Sequence, residues 1–200
     1  MAQVKKAAIR EAIIDSAYAL FREHGYADTS ISHIAADAGV SKANIYVYFK
    51  SKFAILYAVF EPWLRARIEA LEADVAAISD PAERLRHIFR ALWRDIPAED
   101  NGFANNMMQA ISTAWKEGGY DRSLLLWSEQ RVTDMIKGAL PAERVAALDQ
   151  QLVAHLMFMA FDGFVLNQRI VGPSPNLDAM INMMVEFLMR RPGPPVVAET

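Results

Sequence analysis

An ammonium, an amide and two phenols fall close together at Lys42, Asn44, Tyr46 and Tyr48, with the small Ala43 among them. An asparagine can bond an adenine edge in both directions, a lysine can reach a guanine, and an alanine can meet a thymine methyl, so this set suits the DNA major groove. The chemistry needs an element that turns these side chains outward. Ser41 can cap a short helix in which Ile45 and Phe49 point inward, leaving Lys42, Ala43, Asn44, Tyr46 and Tyr48 on or near the outer surface. Ahead of it Ser30 can cap another helix, with Ile34, Ala35 and Ala38 on one face. Gly39 sits where the chain must turn left-handed, and Val40 plugs the corner. Two short helices joined in this way make a helix-turn-helix, whose second helix enters the major groove.

The same residues resemble the DNA-binding signature of the tetracycline-repressor (TetR) family of bacterial regulators. The resemblance runs through Thr29-Ser30, Ile34-Ala35, Ala38-Gly39-Val40-Ser41, Ile45-Tyr46, Phe49 and Lys52, within roughly residues 8 to 56. It implies base reading by Lys42, Ala43, Asn44 and Tyr46 and phosphate contact by Tyr48 and Lys52. Thr29, Ser32 and His33 are expected to add phosphate contacts at the start of the first motif helix. His33 and Phe53 depart from the pattern, each standing where the family often has a carboxylate near a helix N-terminus. Each loss costs from a few tenths to about one kcal/mol of capping and leaves the turn intact.

The chain of 200 residues is 53% apolar, enough for a reading module and one larger helical core. It has no cysteine, which excludes a disulfide framework, a thiolate metal site and a cysteine nucleophile. No cationic start followed by an apolar segment marks a leader, and His155 and Asp162 interrupt the apolar run near 152–166, so a cytoplasmic protein without membrane partners is expected. Residues 1–60 carry seven Lys or Arg against five Asp or Glu, while the remainder carries fourteen against nineteen. A mildly basic end on an acidic body favours one docking orientation on phosphate. No glycine-rich phosphate loop, Gly-x-Ser-x-Gly elbow or His-Glu-x-x-His occurs, so neither catalysis nor a cofactor is expected.

Helical periodicity continues throughout, and an all-α architecture follows. A first helix from about Lys6 to His24 places Ile9, Ile13, Ala17, Leu20 and Phe21 on one stripe that covers the helix-turn-helix. A connector helix runs from Ser51 to about Ile78, followed by helices near 81–96, 101–117, 120–138, 142–171 and 177–190. Asp80-Pro81-Ala82-Glu83, Leu140-Pro141-Ala142-Glu143 and Pro97-Ala98-Glu99 read as helix starts, and Gly25, Gly118-Gly119 and Gly172 as joints. Residues 1–52 thus form the reading domain and 53–191 a helical effector and dimerisation domain. The proline-rich tail 192–200 has no reason to fold.

The two last helices are apolar nearly all round, and six of the ten methionines lie beyond residue 150. Such helices need cover on more than one side, and a helix-turn-helix usually reads a two-fold operator as a dimer. Leu156, Phe164, Met180, Met184 and Phe187 are the expected contacts of a homodimer on an inverted-repeat operator, and the resemblance implies a four-helix dimer bundle there. Gly163 offers close helix approach. Phe89, Trp93, Phe103, Met107, Trp115, Leu125, Trp127, Phe158 and Phe161 read as core on spacing alone. The resemblance makes them the wall of a pocket for a small apolar or aromatic effector. Arg86, Arg90 and Arg94 suit a solvated face better than an anion site, and His87 and His155 lack metal-ligand spacing. Three functions remain open: a ligand-responsive dimeric regulator, most simply a repressor; a DNA-binding architectural or cell-division regulator that answers to a protein partner; and an all-helical small-molecule binder without DNA function.

Overall fold

The computed structural model describes residues 2–99, 102–114, 122–172 and 174–190. Its elements among these residues are helical: α1 (Ala2–Asp28), α2 (Ile31–Asp37), α3 (Lys42–Tyr48), α4 (Lys52–Ala77), α5 (Pro81–Arg90), a π-helical turn (Ala91–Asp95), α6 (Ile96–Glu99), α7 (Phe103–Ala114), α8 (Ser123–Ala139), α9 (Ala142–Ala147), α10 (Gln150–Val171) and α11 (Leu177–Met189). The tail 192–200, the Gly118-Gly119 joint and Trp115 lie outside the described residues. The chain divides into two compact units, Met1–Arg67 with Glu99–Leu124, and Ile68–Ala98 with Leu125–Thr200. The segment 1–52 falls wholly in the first unit, which also takes in α7 and the first part of α4.

In the first unit, Ile13, Ala17 and Phe21 are buried along α1, which packs on α2, and α2 packs on α3. Ser30 Oγ accepts the amide of His33 and Ser41 Oγ that of Asn44, each at 3.1 Å, so both motif helices begin on a hydroxyl cap. Gly39 turns between them at φ 65°. A Cβ there would meet open space, so the backbone conformation, not crowding, calls for glycine.

Gly25 breaks α1 with φ 78° and ψ 171°, and three side chains serve the backbone around that break. Thr29 Oγ1 donates to the carbonyls of Gly25 and Leu20, at 2.8 and 3.2 Å. Lys52 Nζ donates to the carbonyls of Tyr26 and Thr29, at 2.6 and 2.8 Å, and stands over the Tyr26 ring. The third comes from α7, which packs along α1. Asn106, buried on α7, accepts the Tyr26 amide at 2.9 Å and donates to the Phe21 carbonyl at 3.0 Å.

Within the second unit Asp80 accepts the Glu83 amide at 2.9 Å and Pro81 starts α5. Pro97 departs from expectation, because it does not begin a helix after a turn. The chain stays helical from Arg90 through Ile96 and widens over Ala91–Asp95 instead. Proline lacks an amide, and its ring crowds the carbonyl four residues back, here that of Trp93; a widened turn relieves both. The expected single helix 142–171 is also two. Leu148 is extended, and Asp149 Oδ1 accepts the amides of Gln151 and Leu152, so α10 starts on a carboxylate of its own. α11 packs on α5, with Arg86 donating to Asn182 and Arg90 facing Asp178. Buried Arg144 donates to the carbonyls of Leu188 and Phe187 at the end of α11.

Replacing Asn106 with alanine strands a buried amide and a buried carbonyl, so the first unit should lose stability by about 1–3 kcal/mol or more for each group left unpaired. Asn106→Asp keeps the acceptor for Tyr26 but sets a buried carboxylate oxygen against the Phe21 carbonyl, and at neutral pH should be at least as destabilising as Asn106→Ala. Urea denaturation of the three proteins checks the order.

Candidate functional site

α3 presents Lys42, Ala43, Tyr46 and Val47 to solvent while Ile45 is fully buried beneath them. Asn44 is half-buried at the first turn, its amide fixed on Ser41. Ser32 and His33 are exposed on the first turn of α2, and Tyr48 is half-buried at the end of α3. The structure thus gathers Lys42, Ala43, Asn44 and Tyr46 on one short helix beside Ser32 and His33. Tyr46 is 51% and Val47 70% exposed, a high exposure for apolar and aromatic side chains on a seven-residue helix.

Val47 was missed in the sequence. Its signal was the spacing from Ala43, one helical turn away on the same face. Lys50, exposed just after α3, was missed as well.

Two expected phosphate contacts have other work. Thr29 is 1% exposed and its hydroxyl proton is directed to main-chain carbonyls, so it is a clasp at the end of α1 and not a surface donor. Lys52 spends two of its three donor directions on carbonyls, and burial lowers its pKa against the opposing pull of Asp28. It is first a strut between the start of α4 and the bend after α1.

In the second unit the wide turn at Ala91–Asp95 carries Trp93. Its ring meets Phe89 edge-on at 4.7 Å and stacks on Phe164 at 5.1 Å, and its indole N–H donates to the Met157 carbonyl. Phe158 and Phe161 are buried on α10, the helix packed on this turn. Leu125 and Trp127 are half-buried, with Arg131 over the Trp127 ring. Met107 is buried in the first unit, and the Phe103 side chain lies outside the described residues. The expected pocket residues are therefore divided between the two units.

Of the expected dimer contacts, Leu156, Met180 and Phe187 are exposed and Met184 is half-buried. Phe164 is half-buried and stacks on Trp93 in the aromatic cluster. Arg86 pairs with Glu83, Arg90 with Asp178 and Arg94 with Asp95, so all three guanidinium groups have carboxylate partners. His87 faces Asp74 and His155 faces Glu129, and no group of three potential ligands converges on a metal position among the described residues. No helix among them is long and apolar enough to cross a membrane.

Residues 13–59, from the middle of α1 into α4, match the family model of bacterial regulatory proteins of the tetR family. The chain is 26% identical over 189 residues to the fatty acid metabolism regulator protein of Bacillus subtilis (strain 168), covering 88% of this chain and 92% of that one. Two solved structures share the fold. A TetR transcription regulator from Haloarcula marismortui superposes with a TM-score of 0.63 at 21% identity, covering 91% of this chain and 96% of that one. Bacillus subtilis FadR in complex with stearoyl-CoA gives 0.59 at 23% identity, covering 92% and 99%. With its helix-turn-helix, its helical second unit and these likenesses, the chain carries the DNA-binding domain of the tetR family of bacterial regulatory proteins and is similar along most of its length to a transcriptional regulator.

Proposed function

We propose that the protein is a homodimeric repressor that reads an inverted-repeat operator through α3 and leaves it when an apolar effector enters the second unit. The observation that carries the DNA reading is the outward face of α3, where Lys42, Ala43, Tyr46 and Val47 stand in solvent over a buried Ile45. Asn44 and Lys42 supply directional bonds to base edges, Ala43 and Val47 apolar contact to thymine methyls, and Ser32, His33 and Tyr48 contacts to phosphate. Lys50 adds a further cation for the backbone.

Dimerisation is supported by the apolar face left open on α10 and α11, where Leu152, Leu156, Met159, Met183 and Phe187 are each more than half exposed. Single exposed apolar residues are ordinary, but rows of them along two helices mark a surface for another protein. A two-fold dimer answers both this surface and a two-fold operator.

For the effector, the cluster of Phe89, Trp93, Phe158, Phe161 and Phe164 offers an apolar lining with the wide turn at its centre. A long-chain acyl thioester is the first candidate, because the Bacillus subtilis relative is a fatty acid metabolism regulator and a structure of the same fold holds stearoyl-CoA. Arg86, Arg90 and Arg94 are already paired, so the anionic end of such a ligand needs other partners or solvent.

Three outcomes test this reading. Selection of bound fragments from random DNA should return an inverted repeat. On that site Asn44→Ala should lose about 1–3 kcal/mol and relax sequence preference, whereas Lys52→Ala should first lower the melting temperature. Leu156→Glu places a charge on the dimer face and should sediment as a monomer that no longer binds the operator. Stearoyl-CoA should release DNA reciprocally: a hundredfold loss of operator affinity is about 2.7 kcal/mol of coupling, and operator DNA must weaken the ligand by the same factor. A ligand that binds free and DNA-bound protein equally well is not the inducer.

A further inference from the structure

The exposed stripe of α10 runs through Leu152, Leu156, Met159, Leu166 and Ile170, with Gly163 on the same side and no side chain above it. Two polar residues interrupt the stripe, His155 and Asp162, both exposed. They are seven residues apart, nearly two helical turns, so they lie on the same edge and about 10 Å apart along the axis. That separation is too long for a pair within one helix.

Each has one side unsatisfied. The imidazole Nδ1 of His155 is 2.8 Å from Glu129 Oε1 on α8, and the ring is 54% exposed, so its Nε2 is open to a second acceptor. Asp162 has no hydrogen-bond or ion-pair partner among the described residues. Its surroundings already disfavour the charged form, raising its pKa by desolvation. Covering the stripe without pairing this carboxylate would raise that cost further.

We propose that the stripe is covered by a second copy of the chain, with the two α10 helices antiparallel about a two-fold axis near Met159, so that His155 of each subunit bonds Asp162 of the other. This rests on the homodimer reading above. An isologous contact pairs residue i with j and j with i, and an axis perpendicular to two antiparallel helices keeps a given edge on the same side. Two residues on one edge, equally spaced about a point between Phe158 and Met159 and complementary in chemistry, meet that condition twice. Gly163 then allows the helices to approach, and each imidazole bridges Glu129 of its own subunit and Asp162 of the other. The paired edge fixes the register of an otherwise uniform apolar contact, which could slip by a turn at little cost.

The absence of cysteine makes this directly testable. Across a His–Asp pair the Cα atoms are too far apart for a disulfide, which needs less than about 7 Å, so the probe is a short bismaleimide. H155C and D162C chains, mixed and allowed to exchange, should give a covalent heterodimer, while each alone should cross-link far more slowly. Faster cross-linking of H155C alone or of D162C alone puts the axis elsewhere and overturns the pairing. A wild-type dimer in sedimentation with no cross-link from the mixture overturns the pairing and leaves the dimer standing; a wild-type monomer overturns both. As a second measure, Asp162→Asn should weaken the wild-type dimer roughly three- to tenfold and have no effect in a His155→Ala background. Equal losses in both backgrounds count against the pair.

Discussion

The reading face depends on a bend that a helix cannot make without help. At Gly25 the chain leaves helical geometry inside α1, which frees the Tyr26 amide and the carbonyls around it. Three side chains take them up: Asn106 from α7, Thr29 from within the bend and Lys52 from the start of α4. Ser30 follows at once and caps α2, so an error at the bend passes directly into the motif. Buried main-chain groups cost far more unpaired than they return when paired, which makes the bend sensitive to every member of this set. The arrangement gives α1, α4 and α7 one shared fixed point.

Much of the motif was legible because its causes are local. The caps at Ser30 and Ser41, the left-handed Gly39 and the inward Ile45 and Phe49 follow from rules that span four or five residues. The structural work of Thr29 and Lys52 was hidden for the opposite reason. Their place in the motif suggested phosphate, but their work is set by the Gly25 break, whose geometry no short pattern reveals. Asn106 lies 80 residues from Tyr26, and nothing around it marks it as anything but one polar residue of a helix. Pro97 resembled Pro81 in its neighbours, yet Asp80 has a carboxylate to cap a helix and Ile96 has none. Asp149 was a cap hidden within a long apolar pattern.

The second unit was legible as apolar, but not in how its apolar surface divides. Periodicity cannot say which side of an all-round apolar helix meets its own core. Contacts decide it: Phe164 stacks on Trp93, while Met159 and Leu156, five and eight residues earlier, stay outside. The widened turn at Ala91–Asp95 brings Trp93 to this boundary and ties its indole to the α10 main chain. Aromatic core and open apolar face are thus two sides of one helix. A ligand that shifts α10 on its inner side acts on the element that bears the outer one.

The clasp between Asn106 and the α1 bend has a consequence for the order in which the protein is made. The helix-turn-helix leaves the ribosome early, but the residue that completes its supporting bend follows only after α4, α5 and α6. At ordinary elongation rates those intervening residues take several seconds, at about 5–20 residues per second. During that interval the reading module has its caps and its turn but lacks the α7 partner of its first helix. The nascent motif is therefore held short of its final form until much of the chain has been synthesised, and α10 and α11 emerge later still.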